Sequence, residues 1–183
     1  MGQFILSEAI VNNQSILDFI ISIYNQLLLK RELSKMLEKA SELSEDQKYS
    51  QALKYYENVL RVDPVNITAI IDYGVTLQNL AYLKRALEIY DMALTIQPKN
   101  ISALINKGTV LHTMEKYSEA ISCYDIVLRL DERNTMAVVC KGLSLGEMGN
   151  IKSAIKYFKK ALSIDSQHEL AQISLSTAKK IIK

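Results

Sequence analysis

The sequence predicts an all-α fold, a solenoid of stacked helical hairpins, on three observations. Alanine recurs every 34 residues, at Ala52, Ala86, Ala120 and Ala154, and a fixed period of this length is typical of a repeat array. The chain of 183 residues contains only six glycines and two prolines, too few for the many turns of an all-β fold. It is 49% hydrophobic with a formal net charge of +2, a composition that excludes disorder and allows a core to be buried.

Each repeat has a pattern of small and aromatic residues that predicts two helices packed closely together. A small residue stands twelve positions before each reference alanine, and an aromatic residue stands four positions after it. Small residues let two helix backbones approach each other, and the ring fills the space beside them. The small residues are Ala40, Gly74, Gly108 and Gly142, and the aromatic residues are Tyr56, Tyr90, Tyr124 and Phe158.

The boundaries of the repeats carry residues that start and stop helices. Asn66, Asn100 and Asn134 precede the first helix of a repeat and are predicted N-caps. Pro64 and Pro98 stop the preceding helix from continuing. Because a single hairpin cannot bury its apolar faces, the hairpins must stack on one another.

These features together resemble the tetratricopeptide repeat family, in four units at residues 33–66, 67–100, 101–134 and 135–168. The resemblance implies a right-handed superhelical solenoid, followed by a capping helix at residues 169–183. On that helix Leu170, Ile173, Ala178 and Ile181 are expected on the buried side. Glu132 and Ser166 stand where the family often has proline, so less sharply defined helix ends are expected there.

The resemblance also implies a protein–protein interaction scaffold that holds a partner on a concave surface lined by the first helix of each repeat. The implied groove is apolar and nearly uncharged, whereas family members that capture a chaperone's acidic C-terminus place Lys, Asn and Arg there. An apolar helix or extended peptide is therefore the expected ligand. An alternative for Ile71, Ile105 and Val139 is packing between neighbouring first helices. The groove residues are Leu37, Ser41, Ser44, Ile71, Val75, Gln78, Ile105, Thr109, His112, Val139 and Leu143.

The sequence contains no motif that predicts catalysis or a cofactor. His112 and His168 have no second metal ligand at helical spacing, and the glycines occur singly instead of forming a phosphate-binding loop. No enzyme activity, metal or cofactor is expected. The acidic residues of the second helices are predicted to form a solvated face; they are Glu57, Asp91, Glu119 and Asp125.

The remaining composition bears on partners and location. Residues 141–183 are rich in lysine but contain no arginine, so solvated lysines are favoured over a nucleic-acid site. The apolar stretch from Ile16 to Leu29 is too short and too often interrupted by polar residues to span a membrane. Cys123 and Cys140 lack the spacing of a metal site and are expected to be reduced thiols, which suggests a cytoplasmic protein.

Residues 1–32 precede the repeats and do not share their pattern. Ser15 is a candidate start for an apolar helix, with Asn12 to Gln14 separating it from a shorter apolar segment. That helix could run without a break into the first repeat, because no glycine or proline occurs from Gln3 to Asp63.

The apolar side chains of this helix exceed what one end of a repeat array can cover. Burial in a concave groove, of this chain or of a neighbouring copy, and burial in a symmetric dimer are the alternatives, the dimer being preferred. The alternative function is then that of a self-assembling structural protein. The residues expected to self-associate are Ile16, Phe19, Ile20, Ile23, Tyr24 and Leu27.

Overall fold

The computed structural model describes residues 2–182, with side chains from residue 16 onward, and these residues form nine α-helices. No strand occurs among them. The first helix is by far the longest, and the others alternate between 13 and 14 residues. The helices are α1 (Gly2–Glu45), α2 (Tyr49–Val62), α3 (Ile67–Asn79), α4 (Leu83–Ile96), α5 (Ile101–Thr113), α6 (Tyr117–Leu130), α7 (Thr135–Glu147), α8 (Ile151–Ile164) and α9 (Glu169–Ile181).

The helices pack in chain order, and the odd-numbered helices form an inner layer. Each helix contacts the next one along the chain, as expected for stacked hairpins. In addition α1 contacts α3, α3 contacts α5, α5 contacts α7 and α7 contacts α9. Within residues 2–182 the even-numbered helices make no comparable contacts with one another. The array therefore curves around its odd-numbered helices, which line the concave face.

The predicted pairing of small and aromatic residues holds the two helices of each hairpin together. A methyl group built on Gly108 would lie 2.5 Å from Cε1 of Tyr124. The same contact is 2.6 Å between Gly74 and Tyr90, and 2.7 Å between Gly142 and Phe158. One added carbon would collide with the ring unless the ring shifted, so these three positions favour glycine, although the first hairpin pairs Ala40 with Tyr56.

The predicted asparagine caps are confirmed at the start of three inner helices. The side-chain oxygen of Asn66 accepts the backbone N–H of Ala69 at 3.0 Å, and Asn100 and Asn134 make the equivalent bonds. His168 has the same role in α9, where its Nδ1 accepts the N–H of Ala171 at 3.4 Å.

The expectation of less defined helix ends near Glu132 and Ser166 is wrong. The second helices α6 and α8 end at Leu130 and Ile164, in the same register as α2 and α4. Aspartate side chains order the turn in the absence of proline. Asp131 Oδ1 accepts the N–H of Arg133 at 3.1 Å, and Asp165 Oδ1 accepts the N–H of Gln167 at 3.0 Å.

The turn inside each hairpin ends the first helix with a left-handed residue. In the second hairpin this residue is Ala81, with φ of 61°, and the N–H of Tyr82 donates to the carbonyl of Leu77 at 2.9 Å. This arrangement is a Schellman motif. It recurs in every hairpin, with the left-handed residue at Gln47, Ala81, Glu115 and Gly149.

The predicted buried side of α9 is wrong for three of its four residues. Ala178 is buried as expected, but Leu170, Ile173 and Ile181 are exposed, and Ala171 is buried instead. Ile173 follows Val139 by one repeat period. Val139 is covered by α9, whereas no later helix in the described chain covers Ile173. These apolar side chains of α9 therefore extend the concave face.

Helix α1 is continuous from Gly2 to Glu45, so the expectation that a helix starts at Ser15 is wrong. The helix runs without a break into the first repeat, which the sequence allows because no glycine or proline interrupts this stretch. Only the part of α1 from Leu33 onward packs on the core around Ala52 and Tyr56.

Candidate functional site: the concave face

The centre of the concave face is a row of partly exposed side chains, one from each of three inner helices. Val75 on α3, Thr109 on α5 and Leu143 on α7 occupy equivalent positions, and all three are half-buried. Thr109 donates its hydroxyl to the carbonyl of Ile105 at 3.0 Å, so this polar group has a partner within its own helix. In the first repeat the equivalent residue is Ser41, which is exposed. We call Val75, Thr109 and Leu143 the concave row.

A second row, beside the concave row, packs between successive repeats to different extents; it consists of Leu37, Ile71, Ile105 and Val139. Val139 is 0% exposed and lies in a core with Val138, Ala161 and Ala171. It cannot contact a ligand, and packing between first helices is its role. Ile71 and Ile105 pack against inter-repeat cores but remain half-exposed, and so does Leu37 in the first repeat. These three can contribute to a groove.

The polar residues expected in the groove are held by other side chains. Nδ1 of His112 lies 2.9 Å from Oγ of Ser144, and the His112 ring packs edge-on against Tyr117 at 5.3 Å. Ser44 lies 3.4 Å from the hydroxyl of Thr76.

Gln78 is held in a similar way, because its side-chain oxygen accepts the Tyr90 hydroxyl at 3.4 Å. Burial raises the pKa of Tyr90, and that of Tyr124 in the next hairpin, which keeps both phenols protonated as donors. These polar side chains thus support the shape of the concave face through contacts with other side chains.

The structure adds one carboxylate that the sequence reading did not place in the groove. Asp72 follows Ile71 on α3 and is half-buried, and burial raises the pKa of its carboxyl group. It forms no ion pair with the described residues. The equivalent residues in the following repeats are Asn106 and Cys140. The first repeat has Glu38 at the equivalent position, but the third and fourth repeats carry no charge there, so no pattern common to all the repeats revealed it.

The apolar character of the concave face increases toward its C-terminal end. Met136 precedes Leu143 by seven residues, about two turns, on the same side of α7, and it is exposed. Leu170 is exposed at the equivalent position of α9, and Ile173 beside it is 57% exposed. The C-terminal half of the concave face is thus an apolar surface, which adjoins the concave row at Leu143.

The outer acidic residues do not all form the solvated face predicted from the sequence. Asp91 and Asp125 form ion pairs with Lys107 and Lys141 of the next repeat. These pairs connect successive repeats, although each is partly exposed and contributes little to stability.

The other two acidic residues have separate contacts. The hydroxyl of Tyr73 donates to Glu57 at 3.0 Å. Tyr73 occupies the position of Lys107 and Lys141 in the later repeats. Glu119 lies 3.3 Å from Lys116 on the same helix and is fully exposed, as expected for a solvated residue.

The two thiols and the C-terminal lysines have no geometry that indicates chemistry. Cys123 and Cys140 form no disulfide, and burial raises the pKa of both thiols. Lys141 is paired with Asp125 and lies 4.8 Å from the centre of the Tyr157 ring. The lysines of α8 form one exposed stripe, at Lys152, Lys156, Lys159 and Lys160.

The N-terminal part of α1 is the other candidate interaction surface. The apolar side chains from Ile16 to Leu29 are all exposed, up to 65% for Phe19, so the chain does not bury them in its own groove. The intramolecular alternative is therefore wrong. In the part of the chain that the structure describes, no helix is long and apolar enough to cross a membrane.

The fold and the concave face define a class, the helical repeat scaffolds that bind other proteins. The family model described as tetratricopeptide repeat matches residues 101–134 and 141–168. Residues 101–134 and 141–168 are therefore tetratricopeptide repeats, and the described chain has the all-α solenoid fold of tetratricopeptide repeat proteins.

Solved structures of tetratricopeptide proteins share this fold at low sequence identity. A tetratricopeptide repeat protein from Parabacteroides merdae ATCC 43184 has 21% identity and a TM-score of 0.71, over 81% of this chain and 59% of that one. Residues 41 to the end of MamA from Desulfovibrio magneticus RS-1 have 20% identity and a TM-score of 0.68, over 81% of this chain and 89% of that one.

The first tetratricopeptide domain of Spaghetti (RPAP3), solved with the HSP90 peptide SRMEEVD, has 16% identity and a TM-score of 0.61, over 63% of this chain and 92% of that one. No curated protein matches the sequence at a significant level.

Proposed function

We propose that the chain is a non-enzymatic adaptor that binds an apolar helix or extended peptide on its concave face. The observation that carries the proposal is the uncharged concave row, Val75, Thr109 and Leu143, which continues into exposed apolar side chains of α7 and α9. A ligand that covers this surface gains binding energy from apolar area removed from water.

An acidic peptide such as the one bound to Spaghetti is not the expected ligand. Recognition of carboxylates requires cations or several donors aimed at the same point. The concave row has neither, and the nearby Asp72 would repel an acidic ligand. A neutral or weakly basic apolar segment fits the charge of the face better.

Two labelled peptides test this choice by fluorescence anisotropy. One is an amphipathic helix of leucine and lysine, and the other is SRMEEVD. We expect saturable binding of the first and none of the second at the same concentration. Preference for SRMEEVD would contradict the proposal, and so would binding of neither peptide.

Substitutions in the concave row locate the site. Val75→Glu with Leu143→Glu should weaken binding of the amphipathic peptide at least tenfold, because each carboxylate would be buried without a partner under an apolar ligand. Circular dichroism should show unchanged helicity, since both side chains are half-exposed. Glu119→Gln, on the exposed outer surface, is the control and should bind like the parent. Equal binding by the double variant would place the site elsewhere.

The exposed N-terminal part of α1 favours a second candidate function, self-assembly. Its apolar side chains lie outside the repeat core and outside the groove. We propose that copies of the chain associate through residues 16–29. The two functions are compatible, because the concave row lies on other helices.

We also propose that the protein works in a reducing compartment such as the cytoplasm. Its two cysteines are unpaired and lie on different helices, with thiols that burial keeps protonated. Fractionation of cells with an antibody against the protein would test this location, and recovery outside the cytoplasmic fraction would contradict it.

A further inference from the structure

We propose that residues 16–29 of three or four copies form a parallel helical bundle, from which the repeat arrays point outward. The inference rests on the second candidate function, self-assembly, and adds the number of copies and their arrangement. The occupant of the exposed surface is therefore the same segment of other copies.

The exposed apolar surface is large enough for a stable interface. Ten large apolar side chains between Ile16 and Leu29 are exposed by 41% to 65%. Together they present an area on the order of 800 Å², close to what one partner contributes to an interface of standard size. Soluble monomers rarely expose a continuous apolar surface of this extent.

The apolar surface lies on the side of α1 opposite to α2, which is the side that carries Ser41 in the first repeat. At about 100° per residue, Ile16, Ile20, Ile23 and Leu27 lie within roughly 60° of one another on the helix. Ala40 and Leu43, which pack on α2, lie roughly 130 to 170° from this line. Copies that pack side by side through the apolar line would therefore place α2 of each copy on the outside of the bundle.

The apolar surface ends sharply where the array begins. From Arg31 to Glu45 the same side of α1 carries exposed charged or small polar residues. They are Arg31, Ser34, Lys35, Glu38, Ser41, Glu42 and Glu45. A bundle built on the apolar line would therefore end near Lys30, before the array begins.

The residue types along this line favour more than two copies. Ile16, Ile20, Ile23 and Leu27 follow the four–three–four spacing of a heptad repeat, with Ile20 and Leu27 at a and Ile16 and Ile23 at d. In parallel coiled coils, isoleucine at d together with isoleucine or leucine at a favours trimers and tetramers.

The flanks of the line support the same conclusion. Leu17 and Tyr24 stand at e positions and Phe19 at a g position, where dimers usually carry charged residues. All three are at least half exposed. The apolar arc is about 200° wide at 100° per residue, wider than one partner helix covers. A helix of the bundle that touches two neighbours would cover it.

A lipid surface fits these observations less well than other copies do. Helices that lie in a membrane interface usually carry lysine and arginine on their polar side. The polar side of residues 16–29 consists of Asp18, Ser22, Asn25 and Gln26, which include no cation. The first cations, Lys30 and Arg31, come after the apolar surface ends.

Light scattering after size-exclusion chromatography tests the inference on the full chain. We expect a mass of three or four times 20.7 kDa. Ile20→Asp with Leu27→Asp should give a monomer, because both carboxylates would lie in the bundle core. Ser22→Asp with Asn25→Asp, at outward c and f positions on the polar side of the same segment, is the matched control and should keep the mass of the parent.

Conservative exchange of core residues tests the packing itself. Ile16→Leu and Ile23→Leu together with Leu27→Ile place leucine at d and isoleucine at a, the choice that favours dimers. Since these exchanges conserve volume, the array should stay folded while the mass falls to that of two copies. A mass that stays at three or four copies would contradict heptad packing.

The outcomes separate failure of the inference from failure of self-assembly. A parent that is dimeric overturns the bundle but keeps self-assembly. A parent that is monomeric at all concentrations overturns both. A monomer that co-floats with vesicles of equal parts phosphatidylcholine and phosphatidylglycerol would show that the surface binds lipid instead, and it also overturns both.

Discussion

The contact between a glycine and an aromatic ring shows how single residues specify each hairpin. Tyr124 is almost completely buried, so its ring has no free space to move into when Gly108 gains a side chain. Gly146 lies on the same helix as Gly142 but in a different environment. A methyl group built on it would meet only Ala154 Cβ, at the ordinary contact distance of 3.8 Å.

Gly108→Ala and Gly146→Ala should consequently have opposite effects on stability. We expect Gly108→Ala to lower the free energy of unfolding by about 1 to 3 kcal/mol through overpacking. Gly146→Ala should raise it by about 0.4 to 1 kcal/mol, because alanine restricts the unfolded chain more than glycine does. Urea unfolding followed by circular dichroism measures both. Equal stability of the two variants would contradict the close approach of α5 and α6.

At the scale of a helix and its turns, the left-handed residues differ in how well their side chains suit the backbone. Ala81 has φ of 61° and Gly149 has φ of 78°, at equivalent positions of two hairpins. Glycine adopts this conformation without strain, whereas alanine does so at a cost.

Ala81→Gly and Gly149→Ala form a matched pair that tests this difference. We expect Ala81→Gly to raise the melting temperature by about 1 to 3 °C, and Gly149→Ala to lower it by a similar amount. Both residues are exposed, so lost packing does not complicate the comparison. A change of the same sign in both variants would rule out the left-handed backbone as the cause.

The hairpins could be predicted from the sequence because their contacts repeat. Gly74 and Tyr90 recur with the same spacing in every later unit, and the asparagine caps recur with them. Features that are not shared by all repeats were harder to predict. Asp72 has an acidic equivalent in the first repeat, Glu38, but none in the third or fourth, so no common pattern marked it as part of the concave face.

Burial along the concave face depends on the next helix, which the periodicity does not reveal. Val139 and Ile173 occupy equivalent positions, yet one is fully buried and the other is exposed, because only Val139 has a further helix packed against it. Leu170 and Ile181 differ, because their equivalents on α7, Met136 and Glu147, are exposed as well, so these positions face outward even where a further helix follows. The apolar residues expected to self-associate could be located from the sequence, but the molecule that covers them could not be identified from it.

For the whole molecule, the two ends of the chain contribute unequally to the stability of the array. Helix α9 covers Val139 and Ala161, both 0% exposed, whereas residues 16–28 leave their apolar side chains exposed. Removal of residues 169–183 should lower the melting temperature by at least about 5 °C, since loss of a few kcal/mol of apolar burial corresponds to such a shift in a chain of this size.

Removal of residues 1–28 is the matched deletion and should shift the melting temperature of the array by less than about 2 °C. Scanning calorimetry at low protein concentration measures both truncated chains. If the N-terminal deletion destabilised the array as much as the C-terminal one, residues 1–28 would have to pack on the repeats.

The unbroken backbone of α1 has a mechanical consequence. A helix of 44 residues is about 66 Å long at 1.5 Å per residue, and its last turns are built into the core of the first repeat. Helices bend sharply at proline, at glycine or at an inserted turn. Neither proline nor glycine occurs from Gln3 to Glu45. A force or rotation applied near Gly2 is therefore transmitted along a stiff lever to the inner layer of the solenoid, with no hinge to absorb it.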